Sequence, residues 1–173
     1  TAEGYWGVHA MADHVPAYKY FKEHPEYFSL YNGKRCTDQL CLSNPDVLKI
    51  CIESMRKVMR ENPDFMIYSM EQLDNLQPCQ CECPGCQALI SKYGGDSGIM
   101  VWFVNQVADA IKDEFPDKFV GTFAYRYTRH APTGIVPRDN VVIRLCSIEC
   151  CLLHDFEGCE MNQPFMKDLQ DWS

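Results

Sequence analysis

No apolar run in this 173-residue chain approaches the roughly 20 residues that a membrane-spanning helix needs. Positive charge is scarce too: 16 lysines and arginines face 24 aspartates and glutamates, a formal net charge of −8. A nucleic-acid binder needs a basic face to replace phosphate counterions, so that class is set aside. Attraction to an anionic membrane surface is disfavoured for the same reason. Internal repeats and low-complexity segments are also missing, which argues against a repeat architecture. The 46% hydrophobic and 23% charged content that remains is that of an ordinary globular protein, long enough for one domain or part of a larger one. The chain opens at Thr1 without an initiator Met and stops at Trp172-Ser173 inside what reads as a young helix. An excerpt of a longer protein is therefore expected.

Cysteine is abundant, with eleven in all. Four fall in the eight residues Cys79-Gln80-Cys81-Glu82-Cys83-Pro84-Gly85-Cys86. They follow a strand-like run, 65–70, and the polar segment Glu71-Gln72-Leu73-Asp74-Asn75. A strand that ends in carboxylates and enters a cysteine-stapled loop reads as a rigid active-site loop, with thiols fixing the loop and carboxylates doing the chemistry. The cluster suits disulfides, free thiols or a structural zinc. In the zinc case Cys81, Cys83 and Cys86 supply three thiolates and Cys79 the fourth. No second C-x-x-C follows; Cys146, Cys150, Cys151 or His154 could complete a site across the fold. A redox enzyme is disfavoured, because Cys83-Pro84-Gly85-Cys86 reads as a crowded loop and not as a helix start. Cys51 sits at a core-facing helix position and reads as a plain buried thiol.

Local patterns place the elements. Residues 4–11 read as a short buried strand. Residues 12–42 read as an excursion: a helical stretch from Pro16 to Glu23, a break at His24-Pro25, and a strand at 27–31 that meets Asn32-Gly33, the preferred type I′ hairpin pair. Ser43-Asn44-Pro45-Asp46 is a helix start, after which Leu48, Cys51, Ile52, Met55, Val58 and Met59 recur at helical spacing. A second amphipathic helix carries Phe103, Val104, Val107, Ala108 and Ile111. Strands follow at 119–125 and 141–146, joined by a loop or short turn, and Pro164 opens a last helix. Alternating β and α units argue for a parallel sheet. Four β units are about half of a closed barrel, so the expected fold is α/β, a partial (β/α)8 TIM barrel.

In such a barrel the side chains just past the strand C-termini line the active site. That rule collects His9, then Glu71, Gln72, Asp74 and Asn75, then Tyr125, Arg126 and Tyr127, then Glu149. Carboxylates, amides, a histidine and aromatic rings suit sugar recognition, and glycoside cleavage needs one protonated acid and one carboxylate base or nucleophile. Each residue also has a plainer role open to it. Asp74 and Glu149 could be helix caps or ion-pair partners, His9 a core histidine, the tyrosines packing residues and Arg126 a surface residue.

Three further stretches carry a family resemblance: Tyr20 to Phe28, Asn32-Gly33-Lys34-Arg35, and Gln39-Leu40-Cys41-Leu42-Ser43-Asn44-Pro45. So do Cys81 to Cys86, Tyr125-Arg126-Tyr127-Thr128, Pro137 to Asn140, and Arg144 to Cys151. In this order they resemble the bacterial family called domain of unknown function 4838, over nearly the whole chain. The resemblance implies a glycoside-hydrolase-like TIM barrel, distantly similar to α-glucuronidases and β-hexosaminidases, from secreted or surface-attached proteins. It also implies a carbohydrate partner; no cofactor is expected to be required, with a structural zinc at the cysteine cluster left open. Where the family reads Gln-Asn-Asp, this chain has Gln72-Leu73-Asp74. Asp74 therefore inherits the acid role better than Glu71, and Glu149 matches Ser147-Ile148-Glu149-Cys150-Cys151 directly. The expectation is a glycoside hydrolase; the alternatives are a non-catalytic carbohydrate-binding barrel and a zinc-stabilised structural domain.

Overall fold

The computed structural model describes residues 4–75 and 79–173. Strand β1 (Tyr5–Trp6) is far shorter than the expected 4–11. Gly7 and His9 adopt φ values of 76° and 54°, which no strand accommodates, and helix α1 (Met11–His14) begins directly after them. Helix α2 (Ala17–Tyr20) and a 3₁₀ turn at Pro25–Tyr27 lead into a hairpin, β2 (Phe28–Tyr31) and β3 (Lys34–Leu40). Its turn is the expected one: Asn32 and Gly33 both have positive φ, 49° and 73°, and Tyr31 pairs with Lys34.

Helix α3 (Pro45–Glu61) starts where the sequence places it, with the Asn44 side chain accepting from the Asp46 and Val47 amides. Strand β4 (Ile67–Ser69) follows. The cysteine segment then departs from expectation. Cys83 caps a helix, α4 (Pro84–Tyr93), and its sulfur accepts from the Cys86 amide. Pro84 at the first helical position removes an amide that would have gone unpaired, so the C-x-x-C pair does sit at a helix start. Helix α5 (Asp96–Ile111), strands β5 (Phe119–Ala124) and β6 (Val141–Leu145), and helix α6 (Gln163–Asp171) complete the order. A single 3₁₀ turn at Arg126–Thr128 stands in the long link between β5 and β6.

The result is mixed α/β. Strands β1, β4, β5 and β6 form one parallel sheet in that order, and the β2–β3 hairpin stands apart from it. Val47, Cys51, Met55 and Met59 of α3 and the full predicted stripe of α5 are buried against Tyr68, Met70 and Val120 on one face of the sheet. Burying each such side chain contributes roughly 1.5–3 kcal/mol. Burial pushes the Cys51 thiol well above its ordinary range, as suits an inert core residue.

The opposite face is polar and aromatic. Tyr5, Gly121, Phe123, Glu71 and Arg144 meet there, with the Arg144 guanidinium over the rings of Tyr5 and Phe123 at 4.6 and 4.4 Å. Because all four strands run the same way, their C-terminal ends gather the chemistry-bearing residues at one edge.

Candidate functional site

Glu71, just past the end of β4, is fully buried. Its Oε1 accepts from the Tyr5 hydroxyl at 2.5 Å and from Arg144 at 3.2 Å, and its Oε2 accepts from the His9 amide at 2.9 Å. Three strands thus converge on one carboxylate, and the geometry gives it a fastening duty. Gln72 is equally buried. Its amide donates to the Tyr125 carbonyl and to Thr128, each at 3.0 Å, and accepts from the Thr128 hydroxyl at 3.1 Å. It ties the end of β4 to the turn after β5 and has no atom turned to solvent.

Asp74 is exposed. Arg126 Nε donates to the Tyr125 hydroxyl at 2.8 Å, and that hydroxyl donates to Asp74 Oδ1 at 3.0 Å. A second Arg126 nitrogen reaches the Asn75 carbonyl at 3.2 Å. Glu149, also exposed, pairs with Arg129, and Arg126 lies in the field of both Asp74 and Glu149. Arg129 is shared, since it also binds the buried Asp168 at 2.6 Å. Asp168 in turn meets His130 Nδ1 at 2.7 Å. Arg126, Arg129, Cys146 and Glu149 line a cleft of about 160 Å³ together with Phe165 of α6.

His9 is half-buried. Its Nδ1 lies 2.6 Å from the Gln72 carbonyl, and its ring stands edge-on to Phe123, with centroids 5.0 Å apart, and tilted beside Tyr125. Among the described residues three non-glycine positions have positive φ: Asn32 in the hairpin turn, His9 and Arg126. Such backbone costs on the order of 1–3 kcal/mol per residue and persists only where neighbours enforce it. Here Glu71 and the carbonyl of Gln72 hold His9, while the Tyr125 hydroxyl and the carbonyl of Asn75 hold Arg126.

Tyr127 does not join this edge. It lines a small cavity with Gln39, Cys81 and Cys86, where burial pushes its hydroxyl far above the usual range. The structure therefore brings together His9, Asp74, Asn75, Tyr125, Arg126 and Glu149, with Glu71 and Gln72 beneath them. Sequence reasoning passed over Arg129, Asp168 and Gln39. Gln39 is buried and grips the Asp74 segment from both sides: its amide donates to the Leu73 carbonyl at 2.7 Å and to Asn75 Oδ1 at 2.8 Å, and accepts from the Leu73 amide at 3.2 Å. The motif Gln39 to Pro45 was the available signal.

The thiols form two groups among the described residues. In one, Cys41, Cys81, Cys83 and Cys86 are all buried, with sulfurs within 4.8 Å of one another. This corrects the expected set: Cys41, from the end of the hairpin, takes the place given to Cys79, which is buried outside the group. Spacing along the chain could not reveal it, because Cys41 arrives from forty residues upstream through the fold. Hydrogen bonds from Cys81 and Cys86 hold Cys41 well below the ordinary thiol range, and the Cys41 contact pushes Cys81 up to about 11. Such a group could hold a metal ion. The other group is Cys151, His154 and Cys159, in the loop that the buried Asn162 side chain fastens through Cys151 and Asp155.

A parallel α/β sheet with carboxylates and arginines at its C-terminal edge defines the class of this chain. A family model described as "Domain of unknown function (DUF4838)" matches residues 1–173, and the chain belongs to that family. No curated protein and no solved structure matches it.

Proposed function

We propose that this chain is part of a (β/α) barrel that binds a carbohydrate and cleaves its glycosidic bond, with Asp74 and Glu149 as the working carboxylates. The observation that carries this reading is the strained pair, His9 and Arg126, at the strand ends. Among the described residues, both non-glycine left-handed positions outside the hairpin turn fall at the edge where a barrel performs its chemistry. Arg126 lies in the field of both Asp74 and Glu149; in this reading one of the two would protonate the leaving oxygen and the other would act as base or nucleophile. The half-buried His9 offers a ring edge, Asn75 and Arg126 offer hydrogen bonds to sugar hydroxyls, and Tyr125, buried beneath the Arg126 guanidinium, positions it. The roughly 160 Å³ cleft is smaller than whole ligand pockets of about 300–1,000 Å³, which suits one wall of a sugar subsite. A secreted or cell-surface setting belongs to the same reading. The four-thiol group serves this site as structure and takes no part in its chemistry.

The ion pair between Glu149 and Arg129 favours a second reading, a barrel that binds sugar without cleaving it. Hydrolysis of a broad glycoside panel, uronides and N-acetylhexosaminides included, separates the two. Turnover that falls by orders of magnitude in Asp74→Asn or Glu149→Gln supports the hydrolase. Undiminished turnover in both variants removes these residues from the mechanism. Sugar affinity without turnover in the parent protein establishes the second reading.

A further inference from the structure

We propose that Cys41, Cys81, Cys83 and Cys86 bind one zinc ion as a closed, four-thiolate structural centre. The proposal stands apart from the carbohydrate reading and fails or survives without it. Zinc–sulfur bonds of about 2.3 Å in a tetrahedron separate the sulfurs by about 3.8 Å. Cys41 lies 3.5 Å from Cys83 and 3.8 Å from Cys86, sulfur to sulfur. Those separations are far too long for disulfide bonds, which measure about 2.05 Å. All four sulfurs lie within 4.8 Å of one another, so the group has the size of a tetrahedral thiolate site.

The surroundings are those a thiolate centre requires. Four thiolates around a dication leave a net negative charge that must be offset by nearby donors. The Leu30 amide points at the Cys81 sulfur at 3.3 Å and the Cys86 amide at the Cys83 sulfur at 3.5 Å. The Ser43 hydroxyl lies 3.2 Å from the Cys86 sulfur and 3.5 Å from that of Cys83. The Arg35 guanidinium, which donates to the Phe28 carbonyl at 2.7 Å, lies in the field of Cys41, Cys81 and Cys83. Cys83 and Cys86 also sit at the positive end of the ten-residue α4. For a single ion the divalent series ranks zinc above iron, and four protein ligands leave no open position, so the role is structural.

The ligands come from three segments: the end of β3, the segment before α4, and the first turn of α4. A metal there staples the hairpin to the sheet's C-terminal edge. Gln39, two residues before Cys41, then holds Leu73 and Asn75 on either side of Asp74. The excursion thereby acquires a purpose, which is to brace the segment that carries Asp74.

The test is metal content, with the second thiol group removed from the count. Protein carrying Cys151→Ser and Cys159→Ser, purified under reducing conditions without chelator, should retain one zinc per chain. Adding Cys41→Ser should lower zinc at least tenfold, while adding Cys79→Ser should leave it unchanged. X-ray absorption on the Cys151→Ser/Cys159→Ser protein should show four sulfur neighbours at about 2.3 Å. That reading decides the matter even if the Cys41 variant does not fold. Zinc retained without Cys41, a nitrogen or oxygen in the shell, stoichiometric iron, or these cysteines found paired as disulfides in the unreduced protein would each overturn the assignment.

Discussion

The Tyr5 hydroxyl donates to Glu71 Oε1 at 2.5 Å, joining residues that stand 66 positions apart and lock the first two strands of the sheet together. Burial, reinforced by the neighbouring carboxylate, pushes the Tyr5 hydroxyl far above its ordinary range, so it remains a donor throughout the working pH range. The contact also explains a glycine. A Cβ at Gly121 would stand 2.0 Å from the Tyr5 oxygen and 2.7 Å from its ring carbon. The Tyr5 ring crosses β5 only because position 121 has no side chain.

Gly121→Ala should therefore destabilise the protein by about 1–3 kcal/mol, the cost of overpacking a rigid site. Alanine normally costs nothing in a strand relative to glycine, so a loss of this size isolates the clash with Tyr5. Urea denaturation read by circular dichroism measures it. A variant as stable as the parent would show that Tyr5 does not lie across β5.

Much of the architecture was legible because local chemistry and fold agree. Asn44 and Pro45 start α3, Asn32-Gly33 turn the hairpin, and the stripe from Phe103 to Ile111 is buried as its spacing requires. The misreadings share one cause, which is partners distant in sequence. The strand over residues 4–11 ends at Trp6, and Glu71, just past β4, holds the chain's bend at His9. Cys79 looks like a ligand by proximity, whereas Cys41 reaches the group through the hairpin. Gln72 looks like a sugar ligand by its place after β4, yet Thr128 and Tyr125 occupy its amide.

Thr122 offers a change in the opposite direction. It lies on β5 at 1% exposure, and among the described residues its hydroxyl is a buried side-chain polar atom without a hydrogen-bond partner. Burying an unpaired hydroxyl costs about 1–3 kcal/mol, and valine has nearly the same shape and suits a strand. Thr122→Val should raise stability by about 1 kcal/mol or more. A lower melting temperature in this variant would mean that the hydroxyl does find a partner, for instance a bound water.

His14 sets a pH dependence whose direction follows from its setting. The ring is buried under α3, with Nδ1 2.8 Å from the Ser54 hydroxyl and Nε2 3.0 Å from the Ser69 carbonyl. A neutral ring satisfies both, donating from Nε2 and accepting at Nδ1. Burial lowers its pKa below the ordinary 6.5, against smaller opposing effects of the Ser69 hydrogen bond and the Asp13 charge. The unfolded chain therefore binds a proton that the folded chain refuses. Stability from this residue is complete above pH 6.5 and is lost as pH falls toward the lowered folded value. The slope in that window approaches about 1.4 kcal/mol per pH unit for one proton. His14→Gln removes the titration while keeping one donor and one acceptor. The stability of the parent minus that of the variant should be flat above pH 6.5 and decline below it. Parallel curves across the window would mean that the His14 ring is not held away from water in the folded protein, and a difference that rises below pH 6.5 would mean that the folded ring carries the charge; either way the packing of α1 against α3 would need to be drawn again.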